Sequence, residues 1–153
     1  MKALSPAMRT VLASLGVVGL VAVSYVTYLL TVVYRPIDAY SITYQVTGGS
    51  GPVSVEYSQG TGADRTQAPT PAPAASITPP WSTEVIIPAG AEAKIAIATP
   101  PAGLTCVIIQ DKGRGRERVL ASRTAEPGQP LVCTARTPTG ETLNAAPARP
   151  TPR

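Results

Sequence analysis

The sequence predicts an all-β fold: a small antiparallel Ig-like β-sandwich of about seven strands, preceded by one transmembrane helix. Three observations predict it. A run of 24 uncharged residues, Val11 to Tyr34, stands near the N-terminus. The chain beyond it breaks into short segments of alternating polarity, separated by turn residues roughly every 8–12 positions. Glycine and proline, 13 and 17 of 153 residues, supply those breaks, while charged residues are only 14%.

The uncharged run comes first. At 1.5 Å per residue it reaches about 36 Å as a helix, and a bilayer core needs about 20 residues. A soluble helix shows a polar stripe, and this run has none. Gly16 and Gly19 weaken a helix in water but are common in membrane spans, and Tyr25, Tyr28 and Tyr34 gather where an aromatic belt would lie. Lys2, Arg9 and the amino terminus lie before the run and Arg35 after it. The positive-inside rule therefore places residues 1–10 in the cytoplasm and the bulk of the chain outside. The rival is a cleaved signal peptide, since Ala22-Val23-Ser24 resembles a small-x-small site. The apolar run continues past Ser24 to Tyr34, which favours an uncleaved span over 11–34 and a linker over 35–39.

The exported domain is expected over 40–135. In Tyr40–Thr47, Ile42, Tyr44 and Val46 face one way and Ser41, Thr43, Gln45 and Thr47 the other, the pattern of a half-buried strand. Gly48-Gly-Ser-Gly51 follows, and Val53, Val55 and Tyr57 resume the alternation, so the two runs read as a hairpin. Residues 59–80 carry proline at 69, 71, 73, 79 and 80 and read as a long insertion with one short strand near Ile77. Trp81–Ile87 is the next strand, stopped by Pro88-Ala-Gly90; Ala93–Thr99 alternates again. Leu104–Gln110 is apolar on both faces, as in a central strand. Asp111-Lys-Gly113 turns the chain into Arg116–Arg123, with Val119 and Ala121 inward. Leu131–Ala135 is the last strand, and the proline-rich tail 136–153 is expected to be disordered. The core is thin, with one Trp, no Phe and mostly Val, Ile and Ala.

Composition excludes several kinds of chemistry. Without histidine there is no Ser-His-Asp or Cys-His catalysis and no His-ligated zinc. Beyond residue 35 there are ten basic and nine acidic residues, a net of +1, which argues against a nucleic-acid binder. Cys106 and Cys133 are the only cysteines. Outside the cytoplasm an even pair in a small domain reads as a disulfide; the alternative is two buried thiols. Two sulfurs without histidine make a poor metal site.

Nothing in the sequence pairs a nucleophile with a base. Ser50 sits in a glycine turn and lacks the strand-turn-helix setting of a nucleophile elbow. Gly60-Thr-Gly62 lacks the rest of a dinucleotide fingerprint. The acids are scattered, so a two-carboxylate glycosidase would have to assemble in space. The chain is read as a non-enzyme without a cofactor. Two features are candidate contacts. Lys112, Arg114, Arg116 and Arg118 form a basic cluster suited to an anionic surface or an acidic partner patch. Asp111 and Glu117 interleave with it, which favours a solvated hairpin edge. Trp81 is either an exposed anchor for a partner or, by preference, a sandwich-core residue.

The layout resembles the mycobacterial membrane protein small (MmpS) family. Ile42-Thr-Tyr-Gln-Val-Thr-Gly48 is similar to that family's first strand, I-T-Y-x-V-x-G, and Pro80-Trp81-Ser82 to its central P-W-S/T segment. Leu104-Thr-Cys106 with Asp111-Lys-Gly113 is similar to its T-C-x-I strand and turn, and Cys133 to its second cysteine. The insertion between Tyr57 and Trp81 and the tail are longer than the family pattern. The resemblance implies an accessory protein of the MmpL-type resistance-nodulation-division (RND) permeases, which export lipids, glycolipids or siderophores. Its partners would be that permease and membrane lipid around the anchor helix. One helix without an intramembrane charge cannot itself relay protons.

Overall fold

The computed structural model describes residues 6–61, 67–72 and 75–142. Two units divide the chain, with the boundary between Pro36 and Ile37. The first holds helix α1 (Pro6–Tyr28), which continues into a wider π-helical turn over Leu29–Val33. Its apolar side chains from Val17 to Tyr28, and Leu30, are exposed. Thr27 and Thr31 donate their hydroxyls to the carbonyls four residues back, at 2.9 and 2.8 Å, so neither polar group needs an outside partner. Among the described residues, no helix is long and apolar enough to cross a membrane.

The second unit is all β. Its strands are β1 (Ala39–Thr47), β2 (Val53–Gln59), β3 (Thr70–Pro71), β4 (Ala75–Ile77), β5 (Trp81–Pro88), β6 (Glu92–Ile97), β7 (Thr105–Gln110), β8 (Arg118–Thr124) and β9 (Leu131–Arg136). Every pairing is antiparallel. One sheet runs β5-β1-β7-β8; the other runs β3-β2-β6-β9, with β4 also on β2. The inward residues of both sheets form one core: Ile42, Tyr44 and Val46 from β1 meet Val55, Ile95 and Ile97 from the second sheet. The period-two reading predicts these positions correctly because a strand with one face on a core must alternate. β4 is the short strand expected near Ile77, and β3 is a further strand inside the proline-rich insertion.

The Cys106–Cys133 disulfide joins β7 to β9, one strand from each sheet, with Cα atoms 6.3 Å apart. It ties the layers together where the apolar core is thin.

Four expectations need correction. β1 and β2 are not a hairpin: β5 and β7 occupy both edges of β1, so β2 must leave for the other sheet. The link does this through Gly48 and Gly49, at φ of 76° and 67°, and a Cβ on Gly48 would strike the Gly103 carbonyl. Second, β1 is buried on both faces near its start, where Ser41 and Thr43 are as hidden as their apolar neighbours. The Ser41 hydroxyl is satisfied by the Glu84 carboxylate on β5. Third, Val119 points outward. The β7–β8 register pairs Ile108 with Ala121 but Ile109 with Val119, so Leu120 is the extra residue of a bulge. Leu120 packs against the core with Ala121 instead. Fourth, the tail starts later than 136. Thr137 is buried, its hydroxyl donates to the Pro88 carbonyl at 2.6 Å, and the Glu141 carbonyl accepts from Ile37 N–H at 2.8 Å. The expected disorder over 143–153 lies outside the described residues.

Candidate functional site

The structure disperses the basic cluster. The β7–β8 turn aims Arg116 and Arg118 at one carboxylate, Glu141, at 3.2 and 3.1 Å. All three side chains are mostly sheltered, which strengthens the pairing relative to a surface contact. Arg118 also donates to the side-chain oxygen of buried Gln110 at 3.1 Å. The Tyr40 hydroxyl donates to Glu141 at 3.2 Å. Burial first, and then the charge and hydrogen bond of Glu141, push the Tyr40 phenol up to about 12. Arg114 takes a different route, pairing with Glu84 at 3.3 Å across to β5. Glu117 accepts from the Gly113 amide at 2.6 Å. Lys112 is exposed. The four cations therefore form no common face: two close the end of the sandwich, one bridges strands and one meets solvent.

Trp81 is a packed residue. Its ring lies 5.7 Å from that of Tyr57, which lies 5.6 Å from Tyr44, both tilted by 50°. The Tyr44 hydroxyl donates to the Ser58 carbonyl at 2.9 Å, and burial of Tyr44 raises its pKa.

Ser58 introduces the feature that the sequence did not reveal. β2 pairs with β6 only at Glu56 and Tyr57. At the next position, the Lys94 amide on β6 donates 2.7 Å to the Ser58 side-chain oxygen. From there β2 turns away. It pairs with β3, the Ala72 amide reaches the Tyr57 carbonyl at 2.7 Å, and Gly60 donates to the Ile86 carbonyl of the other sheet at 2.9 Å. Gly60 must be glycine there, since a Cβ would collide with that carbonyl.

The parting strands open a groove of about 660 Å³ on the outer face of the second sheet. The insertion forms one wall through Ala68, Pro69 and Pro71, and the β5–β6 turn forms another through Pro88, Ala89 and Ala91. Between them stand Glu56, Glu92, Lys94 and Arg136, all exposed. A smaller depression of about 310 Å³ shares Glu56 and Ala96 and extends to Pro130 and Val132. Outward alternation of β2 and β6 makes Glu56, Lys94 and Ala96 legible as surface. Only the three-strand register sets Glu56 opposite Ala96 and Glu92 opposite Arg136. Among the described residues no cluster of carboxylates or thiols is arranged to hold a metal. No family model matches this chain, and no curated protein or solved structure matches it.

Proposed function

We propose that this chain is a membrane-anchored accessory subunit of an MmpL-type RND transporter, supporting export of lipids, glycolipids or siderophores. The observation that carries the reading is a disulfide-tied β-sandwich following a long uncharged run. The disulfide suits an oxidising, extracytoplasmic compartment. The uncharged run starts at Val11 and reaches Tyr34, enough for a single span with the N-terminus in the cytoplasm. Of the segments similar to the MmpS family, Ile42–Thr47 lies in β1 and Trp81 opens β5, and Cys106 and Cys133 are bonded. In this role the anchor meets membrane lipid, the sandwich docks on the permease's exported domains, and nucleic acid has no part.

Affinity purification from native membranes in mild detergent, followed by mass spectrometry, tests the proposal. A stoichiometric RND permease beside the full-length chain is the expected result. Deletion of the gene should then impair export while the permease persists; unchanged export with the permease present overturns the reading. The groove on the second sheet favours one alternative, a stand-alone extracytoplasmic binding module, anchored or released. A mature N-terminus at Tyr25 with no permease would select it.

A further inference from the structure

We propose that the groove between β2, β6 and the insertion is a glycan-binding site that takes a short, uncharged oligosaccharide. Size is the first argument: 660 Å³ lies within the roughly 300–1,000 Å³ of ligand-binding clefts. Charge is the second. Glu56 and Glu92 balance Lys94 and Arg136, so the groove's net field selects neither an anion nor a cation. Glu92 faces Arg136 across the strands, and Lys94 lies two positions from Glu92 on the same face. Donors and acceptors therefore alternate about 7 Å apart along β6 and about 5 Å apart between strands. A ligand that gains from such a checkerboard carries no net charge and presents groups that both donate and accept. Sugar hydroxyls do this: the carboxylates accept from them, while Lys94, Arg136 and the Gln67 amide donate to them.

The walls are the third argument. Proline rings and alanine methyls line the groove. These are flat C–H surfaces suited to the C–H faces of sugar rings. They lack the large aliphatic side chains that an alkyl ligand would bury. A metal is a poor alternative, because Glu56 sits opposite Ala96, four residues from Glu92. That places the two backbones about 13 Å apart along the sheet, and among the described residues no group of three ligating side chains could hold a metal. The sugar is either free envelope glycan or the head of a sugar-bearing lipid, and the test separates the two. The proposal needs no permease and stands apart from the transporter reading.

The experiment uses the full chain in phosphatidylcholine nanodiscs, followed by amide NMR. Maltotriose, cellotriose and mannotriose are titrated as free glycans, with a hyaluronan tetrasaccharide as the charged counterpart. In a second arm, nanodiscs containing digalactosyl diacylglycerol present the sugar on a lipid. Saturable shifts at Ala89, Ala91 and Lys94 with a neutral sugar are expected, with no response to hyaluronan. Ala96→Trp, which fills the outward floor, and the Glu56→Gln/Lys94→Gln double variant should each weaken binding about tenfold or more. Unchanged β1 and β7 amides will show that the variants are folded. Shifts only in the lipid arm assign the lipid head as the source. No saturable shift with any sugar in either arm, equal binding by both variants, or stronger binding of hyaluronan overturns the proposal.

Discussion

The two sheets of the sandwich solve the same hydrogen-bonding problem in different ways. β1, at the centre of the first sheet, is registered with β5 from Ala39 to Val46 and with β7 from Ile42 to Thr47. β2, in the second sheet, meets β6 at only two positions and spends its other edge on two short strands of the insertion. A continuous ladder leaves no room between strands, whereas an interrupted one must satisfy its loose backbone groups by other means. Here the Ser58 side chain does so, and the interruption becomes a groove. The first sheet is a closed ladder, and the second carries the groove.

The strongest way to break this contrast is to cut the bond between the sheets. Cys106→Ser with Cys133→Ser releases a loop of 28 residues and should lower stability by about 3.5 kcal/mol on the chain-entropy account. Chemical denaturation of the two forms measures it. A loss below about 1 kcal/mol would mean that the apolar faces hold the layers unaided.

The Glu141 carboxylate comes next. Glu141→Gln leaves Arg116 and Arg118 facing a neutral amide in a sheltered place, and about 2 kcal/mol should be lost. The same variant changes the alkaline limb. The folded-state pKa of Tyr40 is raised to about 12 against an ordinary value of 10.0. Below pH 10 the phenol is protonated in both states and its contribution is fully present. Above pH 10 the unfolded chain ionises first, so stability falls as pH rises toward 12. In Glu141→Gln, two of the causes that raise this pKa vanish while the arginines that lower it remain. The fall should still begin near pH 10, where the unfolded chain ionises, but it should be smaller and level off at lower pH than in the parent. An alkaline limb identical to that of the parent would show that burial alone sets the phenol.

The strands of both sheets were largely legible in the sequence, but their pairing was not. β7 is read correctly because a doubly apolar run reports burial directly, whereas the alternation of β1 places the strand but conceals its second buried face at Ser41 and Thr43. The cysteine pair is legible because it has one possible partner assignment. Topology is not local: Gly48 to Gly51 suits a hairpin turn as well as a crossing between sheets, and only the filled edges of β1 decide. Val119 is misread because one bulged residue, Leu120, reverses the faces beyond it. Glu141 lies 23 and 25 residues from the arginines it joins, and no spacing rule connects them. The groove is hidden for the same reason, since Glu56, Lys94 and Arg136 meet only through register across three strands.

Ser58→Ala sharpens the contrast at its origin. The Lys94 amide loses its acceptor, but water in the open groove replaces part of the bond. The expected cost is about 1 kcal/mol, with faster hydrogen exchange at Lys94 than in the parent. Tyr44 keeps the Ser58 carbonyl as its acceptor, so the Tyr44-Tyr57-Trp81 cluster and the emission of the single Trp should change little. Exchange at Lys94 equal to that of the parent would mean that the hydroxyl does not complete the ladder there.

The smallest effect belongs to the outer face of the first sheet. Arg114 and Glu84 pair at 3.3 Å, but both side chains are more than half exposed. Holding two long chains in one geometry costs entropy, and water screens the charges, so Arg114→Ala should change stability by no more than about 0.5 kcal/mol. Arginine is the partner to remove, because Glu84 also accepts from the buried Ser41 hydroxyl, and its loss would mix two effects. The contrast with Glu141 is then quantitative within one basic segment. Arg116 and Arg118 act in a sheltered closure, whereas Arg114, two residues earlier, acts in water. If Arg114→Ala costs as much as Glu141→Gln, the β7–β8 turn works as one rigid charged unit, with no division between sheltered and solvated cations.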